Sequence, residues 1–320
     1  MEEYKLSVGF NGDLELLDRI FDDKDNKVGT LYTGGYLKEL TSGRYQKSKD
    51  LKSLETIVER IHDKKAEVAV TMNSPCNVPP LSEKAWWLKV KEYLKTLERI
   101  GVDTAIIAHP FIMNMAKENT NLEVVASIIC DINSVRGALY YEDMGADIVV
   151  PSSSVNYDLE LLRNIKKNLR RAQIKLLVNE ACLGNCPWRR FHQNALAHAD
   201  RKGYDVDYAS NCTKMYHDKP YMMLTNNVVR PEDLQRYEGI SNFFKLVGRT
   251  TDDETLLKMI HAYSTGKYDG NLVEIVDKGF SKFINLPNDQ LDGLFEQKEN
   301  CIKNCQICDQ CLTLYKRINR

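Results

Sequence analysis

The chain has 320 residues, 43% of them hydrophobic and 28% charged, with a formal net charge of -1. That is long enough for one large domain or two ordinary ones, and it is the balance of a water-soluble globular protein. A charge so near zero gives no global attraction to nucleic acid or to an anionic membrane, although a local basic patch at Arg189 and Arg190 keeps nucleic acid within reach.

Taken in order, short apolar β-rich runs alternate with amphipathic stretches. Leu6–Phe10 reads as a strand and Leu14–Phe21 as a helix. The pairs that follow are Val28–Thr33 with Leu51–His62, then Glu67–Met72 with a long helix over Glu83–Ile100 capped by Ser82. Thr104–Ala108 precedes a short helix after Pro110; Leu122–Ile128 precedes Ser134–Met144, and Asp147–Val150 precedes Leu159–Leu169. Ile174–Val178 is the seventh strand, and Phe243–Val247 with the helix Asp253–Tyr263 completes the set. Tyr221–Leu224 could add a further strand.

Eight β-then-α units predict an α/β fold, a (β/α)8 TIM-like barrel, with a doubly wound open sheet as the competing topology. Continuous apolar runs, not strict alternation, suit parallel strands covered on both faces. The expected division is a barrel domain over 1–265 and an extension over 266–320 that carries a cysteine-rich tail back onto the barrel. The opening M-E-E-Y-K-L lacks the pattern of a signal peptide and no apolar run is long enough to span a bilayer, so the expected location is cytoplasmic, with no membrane partner.

Residues just after barrel strands share one rim, where such folds keep their chemistry. Here they are Asn11, Gly34 and Gly35, Asn73 and Ser74, His109, Asp131 and Asn133, Ser152 to Ser154, and Asn179 with Glu180. Loop polarity is ordinary, and three residues stand out: Asn73, His109 and Glu180, candidates for proton transfer and for orienting a small oxygenated substrate. A structural histidine at a strand end is the equally simple reading of His109. Arg189, Arg190 and Asn133 are candidates for holding a carboxylate, a phosphate or a cofactor; the arginine pair could also be a solvated helix start.

The nine cysteines are unevenly spread. Cys76 and Cys130 are isolated and read as small core residues, Cys130 with a chance of facing the pocket. Cys182, Cys186 and Cys212 follow the seventh strand, and Cys301, Cys305, Cys308 and Cys311 crowd into eleven residues near the end. Clustering in a reducing compartment points to metal, not to disulfides. A cubane cluster takes four thiolates. A tail cysteine could complete a site begun by the first three, the tail could bind a cluster of its own, or it could hold a structural zinc. The C-x3-C-x2-C spacing at 301, 305 and 308 equals that of radical S-adenosylmethionine enzymes, but no strand precedes it and no barrel follows, so it is read as coincidence.

The runs A-S-I-I-C-D-I-N-S (126–134) and M-G-A-D-I-V-V-P-S (144–152) resemble the central region of peptidase family U-32, the collagenase-like proteins. V-G-T-L-Y-T-G-G (28–35), T-M-N-S-P (71–75), G-V-D-T-A-I-I-A-H-P (101–110), R-P-E-D-L-Q-R-Y (230–237) and F-F-K-L-V-G-R (243–249) match its segments in the same order. The resemblance implies a barrel and a cysteine-bound [4Fe–4S] cluster. It also implies oxygen-independent hydroxylation of a small molecule or nucleobase, for which prephenate has been implicated as the oxygen source in relatives. Other members carry a protease label, and paired members suggest a protein partner from the same family. Two departures matter: Cys182 and Cys186 are separated by three residues where the family has six, and P-Y-M-M-L (220–224) stands where relatives have a fourth cysteine. Three readings follow: an iron–sulfur oxidoreductase acting on a small-molecule substrate, a peptidase-like hydrolase, and a non-catalytic cluster-carrying accessory subunit. No His-Glu-x-x-His motif or nucleophile elbow supports the hydrolase.

Overall fold

A computed structural model of the chain describes residues 4–40, 50–76, 83–198 and 208–320. Eight parallel strands close on themselves in sequence order: β1 (Lys5–Gly9), β2 (Val28–Gly34), β3 (Glu67–Met72), β4 (Thr104–Ile107), β5 (Glu123–Ala126), β6 (Ile148–Val149), β7 (Gln173–Leu177) and β8 (Phe243–Leu246). β1 seals the barrel against β8, with Lys5 opposite Phe243 and Val8 opposite Leu246. The open-sheet alternative is thereby set aside. β6 contributes only two residues, Ile148 and Val149, to each neighbour.

The surrounding helices are α1 (Leu14–Asp22), α2 (Leu51–Asp63), α3 (Lys84–Arg99), α4 (Pro110–Asn119), α5 (Val135–Asp143), α6 (Leu159–Asn168) and α9 (Asp253–Thr265), with α7 (Arg189–His198) and α8 (Tyr208–Asp218) between β7 and β8. Several start where the sequence supplies a cap. Asp13, Asp50, Asp158 and Asp252 each accept a backbone N–H from the first turn of the helix that follows, satisfying donors that no helical carbonyl can reach. The expected cap Ser82 lies outside the described residues; Glu83 occupies the cap position of α3 without a side-chain bond. Helices that pack on the strands turn an apolar stripe inward, such as Leu54, Ile57, Val58 and Ile61 of α2, whereas α7 and α8 bury only Ala197 and Tyr216.

Strand residues alternate between this outer layer and the barrel interior. The interior holds a small cluster of Tyr32, Ala69, Ile106, Val125, Ile148 and Leu177. Toward the strand starts it turns polar: the Lys175 ammonium, whose pKa burial pulls down, faces Glu123 and Glu67, and Thr104 and Thr30 donate to those two carboxylates.

Tyr221–Leu224 is not a strand. Pro220 opens a 3-10 turn, Pro220–Thr225, because proline fixes φ and offers no ladder donor. The chain beyond α9 crosses the outside of the barrel in short 3-10 turns to α10 (Leu294–Glu299) and α11 (Gln310–Ile318). The turn over Pro220–Thr225 is wedged between α8 and α11. Among the described residues no helix is long and apolar enough to cross a membrane.

Candidate functional site

At the C-terminal ends of the strands the barrel opens into a concavity of about 630 Å3, counting space open to solvent. Its walls come from β2 (Tyr32), β3 and its exit (Thr71, Asn73), the turn after β5 (Ile128, Ile129), β7's exit (Glu180) and β8 with its exit (Lys245, Arg249), while Gln193 and Leu196 of α7 form a roof. Two cations lie against the Tyr32 ring, Lys245 Nζ 4.3 Å and the Arg249 guanidinium 5.6 Å from its centroid, and its hydroxyl donates to Leu246 O at 2.9 Å. Arg249 Nη1 also donates to Thr71 Oγ1 at 3.2 Å.

Asn73 is brought to this lining and is 6% exposed. Its amide donates to Ser127 Oγ at 3.1 Å, while its carbonyl oxygen Oδ1 is buried with no partner. A buried acceptor left idle is costly, and one facing a cavity is suited to a donor on a bound molecule.

Glu180 reaches the same lining but is not a free carboxylate. Its Oε2 accepts from Ser153 Oγ at 3.0 Å and from Arg189 Nη1, the two side chains being 12% and 19% exposed for Glu180 and Arg189. Burial works against the charge on Arg189, and Glu180, followed by Cys182, more than offsets it, so the guanidinium stays fully protonated. Arg189 Nη2 is buried with no acceptor. Asn179, beside Glu180, serves the backbone: its side chain donates to Val247 O at 3.1 Å and accepts from Val247 N at 2.8 Å, continuing the β7–β8 pairing past the strand ends.

Other expected residues lie outside the lining. His109 Nδ1 accepts from Phe111 N at 3.2 Å as the cap of α4, and the ring packs against Trp87 and Phe111; burial lowers its pKa, so the neutral imidazole is favoured. Arg190 is 81% exposed and faces Asp131 at 3.8 Å. Asn133 is exposed on the same outer edge. Cys130 turns its sulfur to the carbonyls of Ile107 and Ala108, and burial pushes the thiol up to about 12, as expected of a structural cysteine.

After Glu180 the chain makes a tight loop that presents Cys182 and Cys186. Gly184 lies at its tip, where a Cβ would come within 2.3 Å of Thr225 O, so only glycine lets the loop sit this close to the 3-10 turn. Asn185 takes a left-handed φ of 53°, which asparagine tolerates. Tyr216 of α8 anchors the loop by donating to Ala181 O at 3.0 Å. Cys182, Cys186 and Cys212 all lie within electrostatic range of this buried hydroxyl, which burial and then the thiols push well above its ordinary pKa. Burial, followed by the neighbouring Cys186, raises the Cys212 thiol as well. None of the nine cysteines is joined in a disulfide.

The tail thiols form a second group. Cys311 lies within electrostatic range of Cys301, Cys305 and Cys308, and Cys301 and Cys311 are near Lys298, whose ammonium bonds Asn226 O and lies 4.6 Å over the Tyr157 ring. Among the described residues, only Asp23, Asp25 and His261 bring three Cys, His, Asp or Glu ligand atoms within 4.8 Å of one another, at an exposed corner away from both thiol groups.

Spacing alone marked the thiols, Asn73 and Glu180. Tyr32, Lys245, Arg249 and Gln193 escaped it. A lysine in the middle of the apolar run F-F-K-L-V was the available signal, since a buried ammonium must face something that offsets its desolvation.

The sequence profile of "Peptidase family U32" matches residues 24–268. The "Uncharacterized protease MJ1657" of Methanocaldococcus jannaschii is 33% identical over 226 residues, 69% of this chain and 68% of that protein. Among solved structures, "The Structure of the U32 Peptidase Mk0906" superposes with a TM-score of 0.59 at 18% identity, covering 77% of this chain and 92% of that one.

Proposed function

The chain belongs to peptidase family U32, and from that premise we propose an iron–sulfur-dependent oxidoreductase that works at the barrel mouth on a small, anionic, hydroxyl-bearing substrate. The observation that carries this reading is the gathering of Cys182, Cys186 and Cys212 around Tyr216, beside an Arg189 guanidinium with one buried donor unused. Thiolates are the ligands of such clusters, and a thiolate or bridging sulfide would give Arg189 Nη2 the acceptor it lacks, so the residues present fit the group. Bound there, a cluster with three protein thiolates supplies an iron open to an oxygen ligand, or a one-electron relay.

The remaining work falls to this chain's own side chains. Lys245 and Arg249 place positive charge on one wall, suited to a carboxylate or phosphate. Asn73 Oδ1 accepts from a substrate hydroxyl and fixes its orientation. Glu180, held by Ser153, aims Arg189 toward the cysteine loop. Gln193 and Leu196 of α7 cover the concavity and exclude water, which strengthens these contacts. His109 caps α4 and does not touch substrate in this reading.

A hydrolase rests on one contact. Ser153 Oγ donates to a carboxylate oxygen at 3.0 Å, the geometry of a nucleophile and its base, but the same Oε2 is already met by Arg189.

The test is metal analysis of anaerobically purified protein, with Cys182→Ser/Cys212→Ser as the variant. A brown protein that loses about four iron and four sulfide on that change supports the reading. A wild-type protein that is colourless and contains zinc alone removes it. Peptide hydrolysis abolished by Ser153→Ala would favour the hydrolase.

A further inference from the structure

The tail thiols sit beyond the family-matched residues 24–268, so what they do is not given by the family. Cys301 follows α10, Cys305 and Cys308 lie in the turns after it, and Cys311 is in the first turn of α11. Lys303 adopts a left-handed φ of 55°, unusual for a residue with a long side chain, and from that position its N–H donates to Cys301 Sγ at 3.4 Å. From the opposite side Gln297 Nε2 donates to Cys311 Sγ at 3.8 Å. The Lys298 ammonium stands near both of these sulfurs. Neutral thiols are weak acceptors, whereas sulfur carrying the charge of a metal-bound thiolate is stabilised by N–H donors and by a cation.

We propose that Cys301, Cys305, Cys308 and Cys311 bind an iron–sulfur cluster of their own, with Lys303 N–H, Gln297 and Lys298 as its surrounding donors. Spacing favours a cluster over one zinc. Four sulfurs at about 2.3 Å from a single ion would lie about 3.8 Å apart, and no three of these sulfurs come within 4.8 Å of one another. A cubane, whose ligands sit on separate irons, takes the wider arrangement. The tail then lends no thiol to the loop after β7. One corollary rests on the function proposed above: the loop cluster has three thiolates and keeps one iron for substrate.

The test compares three full-length proteins purified without oxygen: wild type, Cys305→Ser/Cys308→Ser, and Cys182→Ser/Cys212→Ser. Iron, sulfide and zinc are counted per chain, and spin-resonance spectra are recorded after reduction with dithionite. The expected result is about eight iron in the wild type, about four in each variant, and a different residual signal in each. Unchanged iron in the tail variant overturns the proposal, as does loss of one zinc with no iron. So does a wild type with about four iron that both variants abolish, which means one shared cluster. Iron lost from the tail variant but not from the loop variant upholds the tail site while removing the loop reading. Cys305 is exposed and Cys308 only half-buried; if the double variant does not fold, Cys308→Ser alone is read by the same counts.

Discussion

Arg189 meets Glu180 through Nη1, while its Nη2 is buried with nothing to bond. The pair does two jobs at once: it neutralises a carboxylate at the barrel mouth and points an idle donor toward the cysteine loop. Arg189→Met should remove the guanidinium from the largely buried Glu180 carboxylate, leaving Ser153 as a neutral donor to it, and lower stability by about 3 kcal/mol, read as a shift of the urea midpoint. Arg189→Lys keeps the charge but has no second donor nitrogen to stand in for Nη2. We expect it to lose less than half as much stability, yet to show a comparable fall in iron per chain.

Gly184→Ala isolates the loop from the rest of the site. The added Cβ would lie 2.3 Å from Thr225 O, a backbone atom that cannot swing aside. Relief requires moving the segment that carries Cys182 and Cys186. The expected result is a loss of about 1–3 kcal/mol together with reduced iron content. Gly279→Ala, in an exposed turn, is the control and should leave iron unchanged.

Glu142 supplies a pH signature independent of any metal. Its carboxylate is 1% exposed and accepts from the backbone N–H groups of Arg170, Arg171 and Ala172 and from Arg170 Nε. Burial opposes its charge, but these bonds win and hold its pKa down to about 2. A carboxylate depressed in the folded state stabilises the protein above its unfolded pKa, and that contribution is lost as pH falls through the folded value. The contribution is therefore complete above about pH 5 and gone near pH 2, about 3 kcal/mol in all. Glu142→Gln should lower the melting temperature at pH 7 and flatten the pH dependence of stability between those limits.

Asn73 separates ligand capture from stability. In Asn73→Ala the bond to Ser127 is lost, but so is an idle buried oxygen, so the ligand-free protein should change by less than about 1 kcal/mol. Small hydroxy-carboxylates and phosphates that raise the melting temperature of the wild type should do so far less in Asn73→Ala and in Lys245→Met. If no anion of either class raises it, the proposed substrate class is wrong.

Most of the scaffold could be read directly because its local signals agree with its fold. The Glu67–Met72 run, apolar at Val68, Ala69, Val70 and Met72, forms a strand over those same residues, and Asp158 caps α6 by the chemistry its side chain dictates. The misreadings have local causes. Asp147–Val150 holds a strand of two residues, Ile148 and Val149; beside it Asp147 Oδ2 takes Val124 N at 2.8 Å in place of a backbone carbonyl, and beyond it Pro151 forms only an isolated bridge with Ile132. The apolar tetrad Tyr221–Leu224 yields to the proline before it. At the site, the sulfur loop and Asn73 follow from position after a strand. The Tyr32 contact with Lys245 and Arg249 does not, because it joins strands from opposite ends of the barrel domain that meet only when β1 and β8 close the ring. Glu180 shows the complementary limit: its place could be anticipated, but not that Ser153 and Arg189 would occupy it.

The two-residue span of β6 gives the barrel a seam. Most of its other pairings are longer, and on the sheet's far side Glu142 clamps the segment entering β7. Amides of β5, β6 and β7 at this junction should exchange with deuterium ahead of those in β1, β2 and β3, since fewer bonds need to open together. The cysteine loop hangs from β7, so breathing at this one joint would reach the sulfur donors while the cationic wall on β8 remained closed.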